Sequence, residues 1–313
     1  MAFTIDQINA LTTEWYDSKC TPQVYDDDPF LAILKGKNKI TVDGGTVLRW
    51  AVRTSELGQT NFVGAREQIA IKSKDTRTAA ELDWKYVVGV TMMHWDEIVK
   101  NNGKAAVVKL IGDKKQELED DYKDTLSDQI WGSSTDHIAP LAQIVDSSTT
   151  YGGIAVSDAA SWASTEDSAT TTLTLFGSGS LTYMRNQATL GKNSPTHHFT
   201  TRDLVDKYMS LLQPQQRYTS DQSTANMGFK NVLFFEAPVI GTPFAPAGDW
   251  FGLDMNALEL VCRTGMDAKQ TEWFDLKQQG YPEAMGKYMT GVMNLKSTRR
   301  NTHFKFTALD YTI

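Results

Sequence analysis

The sequence predicts an α+β fold with one odd part, a polar two-stranded excursion that has no core of its own. Three observations carry this. Apolar residues alternate with period two around Ile40–Val42, Val47–Arg53 and Trp84–Met92, the spacing of half-buried strands. Val107, Ile111, Leu118, Tyr122, Leu126 and Ile130 recur at helical spacing instead and form a single stripe. Between the strands, residues 54–80 are polar, and their few apolar side chains are too sparse to form a core.

Taken in order, Thr4 with Gln7 reads as a capping box, and Ile8, Leu11 and Trp15 continue at helical spacing. A helix is expected from about Ile5 to Lys19, ending before Cys20-Thr21-Pro22, with Asp26-Asp27-Asp28-Pro29 as irregular chain. This opening is too short to hold a core and must lie on something else. Ile40 and Val42, then Val47, Arg49, Ala51 and Arg53, flank Asp43-Gly44-Gly45 and read as two strands joined by a tight turn or bulge. The polar excursion then leaves and re-enters at neighbouring strands. An isolated hairpin is barely stable in water, so such an arm implies a partner surface.

Candidate subunit contacts on it are Arg49, Arg53, Arg66, Lys72, Lys74 and Arg77, with Trp84 at its return. Glu56, Glu67, Asp75, Glu81 and Asp83 are interspersed among them. Mixed signs favour protein–protein salt bridges over phosphate tracking. An ordinary exposed hairpin is the plain alternative.

The longest helical signal is bracketed by Gly103 and Gly132. Lys104 to Trp131 would span roughly 40 Å at 1.5 Å per residue. Lys114, Lys115, Glu117, Glu119, Asp120, Asp121 and Lys123 surround the apolar stripe and read as a solvated or intersubunit face. Residues 136–284 read as an α/β lobe. Helices are expected at Leu181–Ala188 and around Leu204, Tyr208 and Leu211, and strands at Val232–Phe235 and Leu258–Cys262. In the tail, Phe304, Phe306 and Ala308 alternate with His303, Lys305 and Thr307.

The chain has 313 residues, 41% hydrophobic and 22% charged, enough for one large or two interleaved domains. No apolar run is long enough to span a membrane, and no signal peptide is evident, so synthesis in a cytoplasm is expected. Cys20 and Cys262 exclude a disulfide framework by count. Across the 61 residues between Lys123 and Arg185 there is no Lys or Arg, but seven acids. The other 31 of the 38 acidic residues are matched by 31 basic ones, so the net charge of −7 sits in this stretch. Such a surface repels phosphate, which argues against tight nucleic-acid binding by it.

No chemistry-bearing constellation emerges. His197 and His198 are adjacent and point to opposite faces of a strand, so they do not readily share a metal; His94, His137 and His303 stand apart. His94 with Asp96 lacks a nucleophile motif. Gly177-Ser178-Gly179-Ser180 lacks the Lys of a phosphate loop and reads as the start of a helix. No cofactor and no catalytic or metal-binding residue is expected.

The order of elements resembles the major capsid proteins of tailed double-stranded DNA phages, the Hong Kong 97 fold. Phe229-Lys230-Asn231-Val232-Leu233-Phe234-Phe235-Glu236-Ala237-Pro238-Val239-Ile240 is similar to that family's strand and Pro-Val turn. Trp250-Phe251-Gly252-Leu253-Asp254 and Arg299-Arg300-Asn301-Thr302-His303 resemble the segments that follow.

The resemblance implies an N-terminal arm (1–39), an extended two-stranded loop with flanking strands (40–95), a peripheral domain with a spine helix (96–135 and 285–313) and an axial α/β domain (136–284). It also implies self-assembly into pentamers and hexamers of an icosahedral shell around double-stranded DNA packaged without sequence specificity, in a virion assembled in the bacterial cytoplasm. A portal protein is implied as a partner, and no membrane. The first helix begins four residues from Met1, which points to a separate scaffolding protein. Lys72 and Lys74 lie in the loop where some relatives form an intersubunit isopeptide, but no matching Asn is readable. An encapsulin-like compartment and a cytosolic α/β enzyme are the rival readings.

Overall fold

The computed structural model describes residues 28–37, 39–64, 72–100, 104–212, 232–277, 280 and 283–311. The helix expected over 5–19, Cys20 and Arg66 lie outside them. In chain order the elements begin α1 (Pro29–Lys37), β1 (Lys39–Val42), β2 (Val47–Arg53), β3 (Arg77–Asp83), β4 (Lys85–His94), α2 (Trp95–Lys100), α3 (Lys104–Trp131) and α4 (Leu141–Ile144). Next come β5 (Thr165–Asp167), α5 (Leu181–Gln187), β6 (His197–Thr200), α6 (Arg202–Leu212), β7 (Val232–Phe234), β8 (Ala237–Gly241) and β9 (Trp250–Leu253). The last strands are β10 (Leu258–Arg263), β11 (Lys269–Gln270), β12 (Phe274–Asp275), β13 (Ala284–Ser297) and β14 (Phe304–Phe306). They divide into two units. One takes in the described residues up to Gly44, Trp84–Pro140 and Glu259–Leu295; the other takes in Gly45–Asp83, Leu141–Leu258 and those from Lys296 onward.

The first unit is built on a six-stranded sheet, β1-β10-β13, with β4, β11 and β12 also paired to β13. The helix α3 runs 28 residues, from Lys104 to Trp131, the span its stripe predicts. Ile111, Leu118, Tyr122, Leu126 and Ile130 are all buried. The helix packs on β4 closely enough that glycine is required beneath it. A Cβ on Gly89 would come within 2.9 Å of Leu118 Cδ1, and one on Gly291 would collide with the Tyr122 hydroxyl. This close packing fixes which face of β4 is inside. Gly89 and Met93 are buried, while Tyr86, Val88, Val90 and Met92 face outward. The period-two alternation holds, but its apolar set lies on the open side.

Two local expectations are corrected here. Asp28-Pro29 is not irregular chain but the start of α1. The Asp28 carboxylate accepts from the Phe30 N–H at 3.1 Å and from the Trp131 indole at 3.0 Å, a capping arrangement. The strands around Asp43-Gly44-Gly45 do not form a hairpin either. Gly44 and Gly45 take φ of 83° and 91° and redirect the chain, so β1 pairs parallel with β10 and β2 antiparallel with β3.

The second unit carries a mixed sheet in the order β5-β14-β9-β6-β8-β7. The helices α5 and α6 supply Leu181, Met184, Leu204 and Tyr208 to a core shared with Phe234, Trp250 and Phe304. Ser180 caps α5 by accepting from the Tyr183 N–H at 3.2 Å, so the Gly-Ser run is a helix start. The tail departs from expectation. Residues 285–313 do not all stay with the long helix: β13 does so as far as Leu295, but β14 sits between β5 and β9 in the second sheet. His303 and Lys305, which alternate with Phe304 and Phe306, are buried as well, at 0% and 5% exposure.

Candidate assembly surfaces

The extended loop is anchored before it is free. Along β2 and β3, Leu48, Val52 and Ala80 are buried, and Trp50 lies against Tyr151 with ring centroids 6.4 Å apart. Tyr151 is fully enclosed. It stacks on Trp162, its hydroxyl accepts from the Ser297 N–H at 2.9 Å, and the Arg300 guanidinium lies 5.9 Å from its ring. Arg300 has no exposed surface. It donates to the carbonyls of Gln143, Ile144 and Thr149 at 3.0, 2.7 and 2.8 Å, holding the carboxyl end of α4. A backbone bond from the Glu81 N–H to the Gly152 carbonyl, 2.9 Å long, completes the base.

Beyond the base the bonds between the two chains, among the described residues, are polar. The Thr54 N–H donates to Thr76 O at 3.0 Å, Lys74 Nζ to Glu56 O at 2.6 Å and Gln59 Nε2 to Lys72 O at 2.6 Å. Phe62 shows 108% of its reference surface, with Leu57 and Val63 also exposed.

The residues expected to contact neighbours separate into three groups. Arg49 is exposed but pairs with Glu81, its cross-strand neighbour, at 2.8 Å. Arg53, Lys72, Lys74 and Arg77 are exposed and make no ion pair among the described residues. Trp84 is 9% exposed within its own chain. Two features went unread in the sequence. One is the open apolar face of β4, where Tyr86, Val88 and Val90 are 63%, 55% and 59% exposed. The other is an open cavity of about 510 Å³ between β4 and the end of α3, lined by Tyr86, Val88, Thr125, Asp128, Ser134 and His137. The signal for the first was the alternation itself, whose apolar set, Tyr86, Val88, Val90 and Met92, lies on the face the helix does not cover.

The acidic stretch is partly neutralised inside the second unit. Lys305 Nζ lies 3.1 Å from Glu166 and 3.6 Å from Asp146. Burial alone would raise the Asp146 carboxyl, but the N–H groups of Ser148 and Thr149, the Ser148 hydroxyl and Lys305 together hold it below the usual carboxylate range. Among the described residues no three His, Cys, Asp or Glu side chains gather as metal ligands would, and no helix is long and apolar enough to cross a membrane.

With this geometry the chain has the Hong Kong 97-type capsid fold. It is similar to the chain in the capsid asymmetric unit of cyanophage A-1(L), at a TM-score of 0.68 and 14% identity, covering 90% of this chain and 93% of that one. A structure from Mycobacterium phage Cain matches over 100% of both chains, with a TM-score of 0.55 and 12% identity. The holo-SrpI encapsulin complex from Synechococcus elongatus also matches, at 0.55 and 11%, covering 97% of this chain and 96% of that one. No protein-family model and no curated protein sequence matches.

Proposed function

We propose that this chain is the major capsid protein of a tailed double-stranded DNA phage, a non-enzymatic subunit that closes into an icosahedral shell. The observation that carries the reading is an arm with nothing to do in a lone chain, on a fold shared over 90% of its length with a chain of a phage capsid. Phe62, Leu57 and Val63 are held out in solvent on a two-stranded element with a built base. Many shallow contacts between copies would sum to a stable shell. Pentamers and hexamers, a separate scaffolding protein, a portal and assembly in a bacterial cytoplasm belong to the same reading. So do the domain roles: an arm, an extended loop, a peripheral unit around α3 and an axial unit around α5 and α6. The net acidic stretch would face away from packaged DNA, where like-charge repulsion acts within about 8–10 Å.

An encapsulin-like compartment is the second reading, favoured by the encapsulin match. The two differ in contents. Particles produced in cells with the phage's other structural proteins are expected to hold nuclease-protected double-stranded DNA. Particles that consistently hold one enzyme and no nucleic acid would transfer the assignment to the compartment.

A further inference from the structure

The face of β4 turned away from α3 is an apolar bed. Tyr86, Val88, Val90 and Met92 stand exposed along it. Val292, Thr290 and Tyr288 of β13 lie directly opposite the first three, so they share that face. None of these side chains is charged. A contiguous apolar patch rimmed by polar chain marks a docking surface.

Residues 1–27 hold a matching half. Ile8, Leu11 and Trp15 form one stripe on the helix that the sequence predicts from about Ile5 to Lys19. So short a helix gains its stability from covering such a stripe. The point where this segment joins the described chain selects its own β4 as the cover. The Asp28 carboxylate accepts from the Trp131 indole at 3.0 Å, and Phe30 meets that indole edge-on, with centroids 5.5 Å apart. Trp131 ends α3, and Gly132, Ser133 and Ser134 after it line the open cavity together with Tyr86 and Val88. Residue 28 is thereby fixed at the Tyr86 end of β4. The chain from Lys19 to Asp28 can span up to roughly 30 Å, enough to lay the helix back along the strand. Four residues of helix advance about 6 Å and two residues of strand about 6.6 Å. Trp15, nearest the anchor, then falls over Val88, Leu11 over Val90 and Ile8 towards Met92.

We propose that the N-terminal segment docks as an amphipathic helix on the open face of β4 in its own chain, antiparallel to the strand. The inference concerns the folded subunit and does not depend on the shell reading. The test is a disulfide in the full-length chain carrying Cys20→Ser, Leu11→Cys and Val90→Cys, oxidised over a range of protein concentrations. Cys262 is buried and is left in place. The link should close within one chain, with a yield independent of concentration. It should exceed by at least about tenfold the yield with Thr13→Cys in place of Leu11→Cys, because Thr13 lies on the opposite side of the helix. Equal yields from the two pairs, or no link, would overturn the docking. Linked dimers that increase with concentration would overturn it too, by giving the face to a second copy. Val90→Asp in the otherwise unaltered chain is an independent measurement. Val90 is exposed, so the melting curve of the described fold should hold. Amide exchange over residues 5–19, slow in the unaltered chain, should quicken at least about tenfold. Exchange that is fast in both chains, or the same in both, contradicts the proposal.

Discussion

His198 and His303 are both completely buried in the second unit. His303 Nδ1 accepts from the Asp254 N–H at 3.0 Å, and His198 Nδ1 accepts from the Trp250 indole at 3.3 Å. Burial, seconded by Arg185 at His198 and by Arg299 at His303, pushes each imidazole down to about 3. The folded chain therefore keeps both rings neutral, whereas the unfolded chain protonates them near 6.5. Between those values the unfolded chain binds more protons, so stability is lost as pH falls below about 6.5. Asp249 works the other way. Burial lifts it to about 6, so its folded form binds the extra proton and is favoured as pH falls. Two histidines outweigh one aspartate, each histidine approaching about 1.4 kcal/mol per pH unit. Melting midpoints should drop between pH 7 and 4.5, and His303→Gln, which leaves one histidine against Asp249, should remove most of that slope. A flat profile in the unaltered chain would contradict this account of the two rings.

At the scale of elements, the loop can be separated from the fold that carries it. The Ser55 hydroxyl reaches Asp75 O at 3.4 Å, so the chain can be rejoined there after removing residues 56–74. Leu57, Phe62 and Val63 are exposed, so their loss removes little burial, and the melting stability should change by less than about 1 kcal/mol. Assembly should fail. Regular particles from the shortened chain would show that the loop does not join subunits.

Elements were legible to different depths for physical reasons. The helix α3 could be read to its last residue, because a stripe repeated over many turns leaves one solution. The base strands could be read as extended, but not their pairing. β1 joins β10, far along the chain, and no local pattern encodes that choice. The inside of β4 was unreadable because its apolar set lies on the open face, and the close approach of Leu118 to Gly89 puts the less apolar face inside. Asp28 as a helix cap could have been found from Asp-Pro before an apolar run.

Across the whole molecule, charge and shape tell the same story from two sides. The loop mixes cations with carboxylates, the net negative charge lies in one stretch beginning near the end of α3, and an apolar strand face stands open among the described residues. The most direct measurement is sedimentation and electron microscopy of the purified full-length chain, with and without a scaffolding partner. The account predicts capsomer-sized oligomers and closed icosahedral particles. A single 34.9 kDa species at high concentration under both conditions would contradict it.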